Sequence, residues 1–140
     1  MPDRDVTLGT IQRELTAFAR RARHKAAQIH PDLSLVTYSM LDHMQASGGC
    51  RGIDLAEHFL LDKSTVSRQT AVLERLGLIV REVDPGDRRG QILRPSAAGL
   101  RLLEEAHRQR RETFEERLAD WGDEDLERFA GYLRRYNAAG

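Results

Sequence analysis

Residues 61–77, LDKSTVSRQTAVLERLG, and residues 84–89, DPGDRR, hold the side chains of this 140-residue chain best suited to bonding a flat, polar, negatively charged partner. On a helix turning about 100° per residue, Val66, Thr70, Leu73 and Gly77 share one arc, and Ser64, Ser67, Arg68, Ala71 and Arg75 share the opposite one. The outer arc mixes short hydroxyls, a methyl group and long cations, with no bulky apolar group. Base edges in a DNA major groove call for that mixture: small side chains admit the backbone, a methyl packs on thymine, and an arginine forks onto guanine. Ser64, Ser67 and Arg68 are the candidate readers. Arg88 and Arg89, carried beyond a turn, suit a phosphate or minor-groove contact. The bland alternative is that any helix in water carries a polar face and that Ser and Thr gather at helix starts for capping alone.

Four helices must precede or carry this chemistry. Ile11, Leu15, Phe18 and Ala22 recur at helical spacing within residues 8–29, and His30-Pro31 closes that helix. Asp32 or Ser34 can cap a second helix with the stripe Val36, Met40, Leu41 and Met44, which Ser47-Gly48-Gly49 ends. Residues 53–60 form a two-turn helix with Leu55, Ala56, Phe59 and Leu60 available for burial, so tertiary packing must hold it. Asp62 can cap the helix of residues 63–76, and Gly77 supplies a left-handed stop. Two strands follow, 78–83 and 91–94, joined by Asp84-Pro85-Gly86-Asp87 with Arg88 and Arg89 at or just beyond the tip. Ser96 then caps a long polar helix from 97 to about 119, and Leu126, Phe129, Ala130 and Leu133 mark a last amphipathic helix. The fold class is mainly α with a small β-hairpin wing, a winged helix-turn-helix.

The stretch LAEHFLLDKSTVSRQTAVLERLGLIVREVDPGDRRGQILRPSAAG, residues 55–99, resembles the MarR family of bacterial transcription regulators, above all in STVSR, LERLGLIVR and DPGDRR. The resemblance implies one domain over 1–140. Residues 33–95 would form the winged DNA-binding region, and residues 1–30 and 97–140 the dimerisation helices of a homodimer that binds a pseudo-palindromic operator. It also implies that Ser64, Thr65, Ser67 and Arg68 lie on the recognition helix and Arg88 and Arg89 on the wing, with Asp87 bracing an arginine there. Pro95-Ser96 departs from the usual Leu-Thr, and Gln69 and Thr70 stand where apolar residues are common. Dimerisation has independent support, because the first and last helices both carry apolar stripes that one small winged core cannot cover. Family members often respond to small phenolic or anionic effectors. Tyr38, Met40, Met44, His30 and Arg20 could line such a cleft or could be plain core, and no ligand site is assigned.

Charge agrees in distribution rather than in sum. The formal net charge is zero, yet residues 1–30 carry +3 and residues 62–94 carry +2, against −3 over 31–61 and −2 over 95–140. The basic residues are 20 Arg and 2 Lys, which favours forked over point contacts and can equally reflect a GC-rich genome. A hydrophobic share of 40% with 31% charged residues places the chain among globular proteins. No apolar run approaches a membrane span and residues 1–10 show no signal core, so a cytoplasmic protein without membrane partners is expected. Cys50 excludes an intrachain disulfide; beside Arg51 it is either an activated thiol or a spectator. His24, His30, His43, His58 and His107 show no ligand spacing and read as lone histidines, so no metal or cofactor is expected. No nucleophile has a base fixed beside it, which argues against an enzyme. The expected function is therefore a sequence-specific, double-stranded-DNA-binding regulator, a repressor released by a small effector. The alternative is a winged-helix module that binds protein or a small ligand without reading DNA.

Overall fold

In the computed structural model, which describes residues 3–139 apart from the side chain of Arg88, six helices enclose one hairpin in chain order. They are α1 (Arg4–Ile29), α2 (Leu35–Ala46), α3 (Gly52–Phe59), α4 (Lys63–Arg75), β1 (Ile79–Asp84), β2 (Asp87–Pro95), α5 (Ala97–Arg117) and α6 (Asp123–Ala138). The chain divides into two compact units, Met1–Leu103 and Glu104–Gly140.

Local chemistry explains most boundaries. Asp3 caps α1 by accepting from the amides of Asp5 and Val6, so this helix starts four residues before the expected position. Ser34, rather than Asp32, caps α2 through the Thr37 amide at 3.2 Å. Asp62 caps α4, accepting from the Thr65 amide at 2.7 Å. Gly77 ends that turn with φ 72°, a left-handed geometry that side chains resist. Ser96 caps α5 by accepting from the Gly99 amide at 3.1 Å and donates to the Gly77 carbonyl at 2.6 Å, which ties the start of α5 to the end of α4.

The core of the first unit is built from Leu33, Tyr38, Met40, Leu41, Met44, Leu55, Val66, Leu73, Leu78, Ile79, Leu93 and Leu103, all buried. Truncating one of its large aliphatic members to Ala would cost about 2–5 kcal/mol. α2 packs on α1, α4 and β2, and α4 packs on α3 and β1, so α2 and α4 are the pieces around which the winged head closes. Val36 departs from the expected α2 stripe: it is exposed, while Thr37 and Tyr38 take the inward face. Leu60 departs further, being 91% exposed with φ 55°, because the chain must reverse between α3 and α4 at that residue. Tyr38, Met40 and Met44 are buried in this core.

The hairpin is antiparallel, with Ile79 opposite Pro95 and Val83 opposite Gln91. The ladder then steps to the pair Asp84 and Asp87, so residues 88–90 of β2 bulge between the two pairs. Cys50 adds a bridge to Leu93 through two backbone hydrogen bonds, of 3.2 and 2.7 Å, joining the loop before α3 to the wing's second strand. Burial, and then the nearby Asp54 carboxylate, push the Cys50 thiol above its ordinary value, the opposite of activation by Arg51. The histidines are not all lone: the rings of His43 and His58 stack across α2 and α3 at 3.9 Å, with Phe59 edge-on to both.

Candidate nucleic-acid interface

Helix α4 divides as its spacing requires. Val66, Thr70 and Leu73 face inward and are buried, while Ser64, Ser67, Arg68, Ala71 and Arg75 are exposed. The polar residues in apolar places are satisfied. Thr70 donates its hydroxyl to the Ser67 carbonyl at 3.1 Å, and Gln69 Oε1 accepts from the Thr37 hydroxyl of α2 at 2.5 Å. A buried hydroxyl with a partner avoids the penalty of an orphaned one, so the Thr37–Gln69 bond fixes α4 on α2 at little cost.

At the front of α4 the side chains are held before any partner arrives. The Ser64 hydroxyl donates to Asp62 Oδ1 at 2.9 Å, and Arg68 Nη2 donates to the Thr65 hydroxyl at 3.1 Å. Half-buried Thr65 is therefore a support for Arg68, which projects outward with Ser67. The Asp62 carboxyl lies below its usual range, chiefly because it accepts the Thr65 amide. A carboxylate thus sits at the N-terminus of α4, at the positive end of the helix dipole, which also attracts anions.

The wing is tied down at several points. Arg81 of β1 donates to Glu74 of α4 at 2.7 Å and to Gln91 across the strands at 3.2 Å. Arg94 pairs with Glu82 at 2.9 Å and donates to the Gly48 carbonyl. The turn at Pro85-Gly86 is closed by Asp84, whose Oδ1 accepts the Gly86 amide at 2.9 Å. That bond first, and Arg51 second, hold the Asp84 carboxyl below the ordinary carboxylate range.

Arg89 is exposed on the bulge, and its amide donates to Asp87 Oδ1 at 3.0 Å. The Arg88 backbone lies on the same bulge, and its side chain is outside the described residues. Among the described side chains, Arg51 Nη2, from the start of α3, lies 3.6 Å from Asp87 Oδ2. Arg51 is the residue the sequence reading passed over, although one signal was present: an arginine stands where a helix start favours an acceptor. Among the described residues no three His, Cys, Asp or Glu side chains converge as a metal site needs, and no helix is long and apolar enough to cross a membrane.

Comparison with known proteins bears on what this surface touches. Residues 32–90 match the model of the MarR family, a span that takes in α2 through the wing tip. Over 131 residues the chain is 37% identical to the HTH-type transcriptional regulator YxaD of Bacillus subtilis (strain 168), with 92% of each covered. A solved MarR family protein from Bacillus stearothermophilus is similar in fold, with a TM-score of 0.81 at 20% identity over 99% of this chain and 98% of that one. A probable transcriptional regulator from Pseudomonas aeruginosa is 27% identical with a TM-score of 0.71, covering 92% of this chain and 96% of that one.

Proposed function

This chain belongs to the MarR family and is a DNA-binding transcription regulator; from that premise we propose that it works as a homodimeric repressor of a pseudo-palindromic operator. Regulators of this family bind DNA and act as dimers and are not enzymes. The observation that carries the reading is the pairing of an outward polar face on α4 with an arginine-bearing bulge on the strand pair packed beside it. Ser64, Ser67 and Arg68, with Thr65 in support, read base edges; Arg88 and Arg89 neutralise phosphates or enter the minor groove. Residues 33–95 are the head, and residues 1–30 and 97–140 supply the dimerisation helices. Exposed Ile11, Leu15 and Phe18 on α1, and an α6 with an apolar stripe and no buried residue, support a second copy as the missing cover. Two heads would then read half-sites about 34 Å apart, or a multiple of that.

Action on the bacterial chromosome places the protein in the cytoplasm. Release by a small phenolic or anionic effector belongs to the same reading: such a ligand would act by preferring a head spacing that misfits DNA, limited by its differential affinity for the two states. The test is a titration of the purified protein with its own upstream DNA at several salt concentrations. Affinity should fall steeply as salt rises, since each neutralised phosphate adds to the slope. Arg68→Ala should lower discrimination at particular base pairs by about 1–3 kcal/mol, and Arg89→Ala should weaken all sequences alike and reduce the salt slope by about one. Failure to bind any duplex, even at low salt, would favour a winged-helix module that binds protein or a small ligand.

A further inference from the structure

Arg51 stands immediately before α3, where the first-turn amides lack intrahelical partners and an acceptor side chain is favoured. A guanidinium has only donors and cannot serve there. The backbone of Arg51 still belongs to the helix start, its N–H donating to Asp54 Oδ2 at 2.9 Å, but the side chain leaves α3 altogether.

It goes to the wing. Nε donates to Asp84 Oδ2 at 2.8 Å, Nη2 bonds the same oxygen, and Asp87 Oδ2 lies 3.6 Å from Nη2. The guanidinium also rests against Gly90, where an added Cβ would come within 2.7 Å of Nη2 and 2.8 Å of Cζ. Asp84 and Asp87 bound the turn, and Gly90 is the last residue of the 88–90 bulge, so one side chain from α3 touches both limits of the segment that carries the wing arginines. Asp87 passes the restraint onward, because its other oxygen accepts the Arg89 amide.

Resting on the reading that the wing touches DNA, we infer that Arg51 is a positioning residue: its guanidinium clamps the inner side of the 88–90 bulge and sets the direction in which Arg89 is presented. A two-stranded ribbon is marginal by itself, and an unclamped bulge would have to be ordered at the moment of binding. The pair is half-buried, with Asp84 17% exposed, yet still reached by water, so its contribution to global stability is modest and its main effect falls on wing geometry. A better cap was given up for that geometry.

The test is a set of cycles in the full-length protein on one operator duplex. Arg51→Ser restores a capping residue, so its unfolding midpoint should equal or exceed the wild type's. Its operator affinity should nonetheless fall about tenfold, with the salt slope reduced by about one, as for Arg89→Ala. Arg89→Ala added to Arg51→Ser should cost less than about twofold more, because an unclamped arginine no longer contributes its full contact. Gly90→Ala should displace the guanidinium and mimic Arg51→Ser in the parent, yet change nothing further once Arg51 is gone. An Arg89→Ala effect that is undiminished in the Arg51→Ser background overturns the clamp while leaving the wing contact intact. An Arg89→Ala without effect in the parent overturns the wing contact itself, and the clamp with it.

Discussion

Leu60 shows how a single residue can carry a stress that its neighbours impose. An L side chain in left-handed geometry costs about 1–2 kcal/mol, and this one is 91% exposed, so burial returns nothing. Leu60→Gly should therefore raise stability by about 0.5–1 kcal/mol, after allowing for the extra freedom glycine gives the unfolded chain. Chemical denaturation at matched protein concentration measures it, and a loss of similar size would mean that Leu60 makes a contact in the dimer. The polar pair Thr37 and Gln69 shows the reverse case. Apolar residues suit such places, yet each group finds its partner, and α4 gains a fixed seat on α2.

At the scale of elements, the front of α4 is a compromise between capping and anion attraction. Asp62→Asn keeps an acceptor for the Thr65 amide and removes the charge, so affinity for random duplex should rise roughly two- to fivefold at low salt. Preference for the operator should narrow in the same fluorescence titration. The α2–α3 contact has a pH dependence of definite sign. Burial first, and then the neighbouring His58, lower the His43 pKa from its ordinary 6.5, with Asp54 and Asp42 opposing. Folding thus favours the neutral ring, and the unfolded chain takes up its proton first as pH drops. Stability from this site is complete above 6.5 and declines as pH falls toward the folded value, where the loss levels off. Melting temperatures at pH 7.5 and 5.5 should differ more for the wild type than for His43→Gln; equal differences would remove His43 as the cause.

For the whole molecule, the apolar residues left in water bear on the dimer proposed above. Ile11, Leu15 and Phe18 on α1, and Phe129, Tyr132 and Leu133 on α6, are more exposed than a chain working alone would favour. Phe18→Glu and Tyr132→Glu alter side chains that are already more than half exposed, so little packing within the chain is lost. Each should nevertheless shift the protein toward monomer in sedimentation and weaken operator binding on the order of a hundredfold, because two linked heads gain from effective concentration. A monomer that binds its operator with undiminished affinity would detach function from this surface.

What could be read from residue order alone was whatever is decided within about one helical turn. Asp62 and Gly77 bracket α4, Ser96 starts α5, Asp84-Pro85-Gly86-Asp87 turns the hairpin, and the period of Val66, Thr70 and Leu73 marks the face of α4 that is buried. Caps, turns and periodicity act between neighbours in the chain, so no knowledge of the fold is needed to apply them. Only tertiary structure could bring Arg51 to Asp84, 33 residues away, or Thr37 to Gln69, 32 away, or stack His43 on His58. Those pairings depend on which faces the core turns toward one another. The same packing sends Leu60 and Val36 outward although both are apolar, because burial is settled by the space left around a site and not by the residue's own preference.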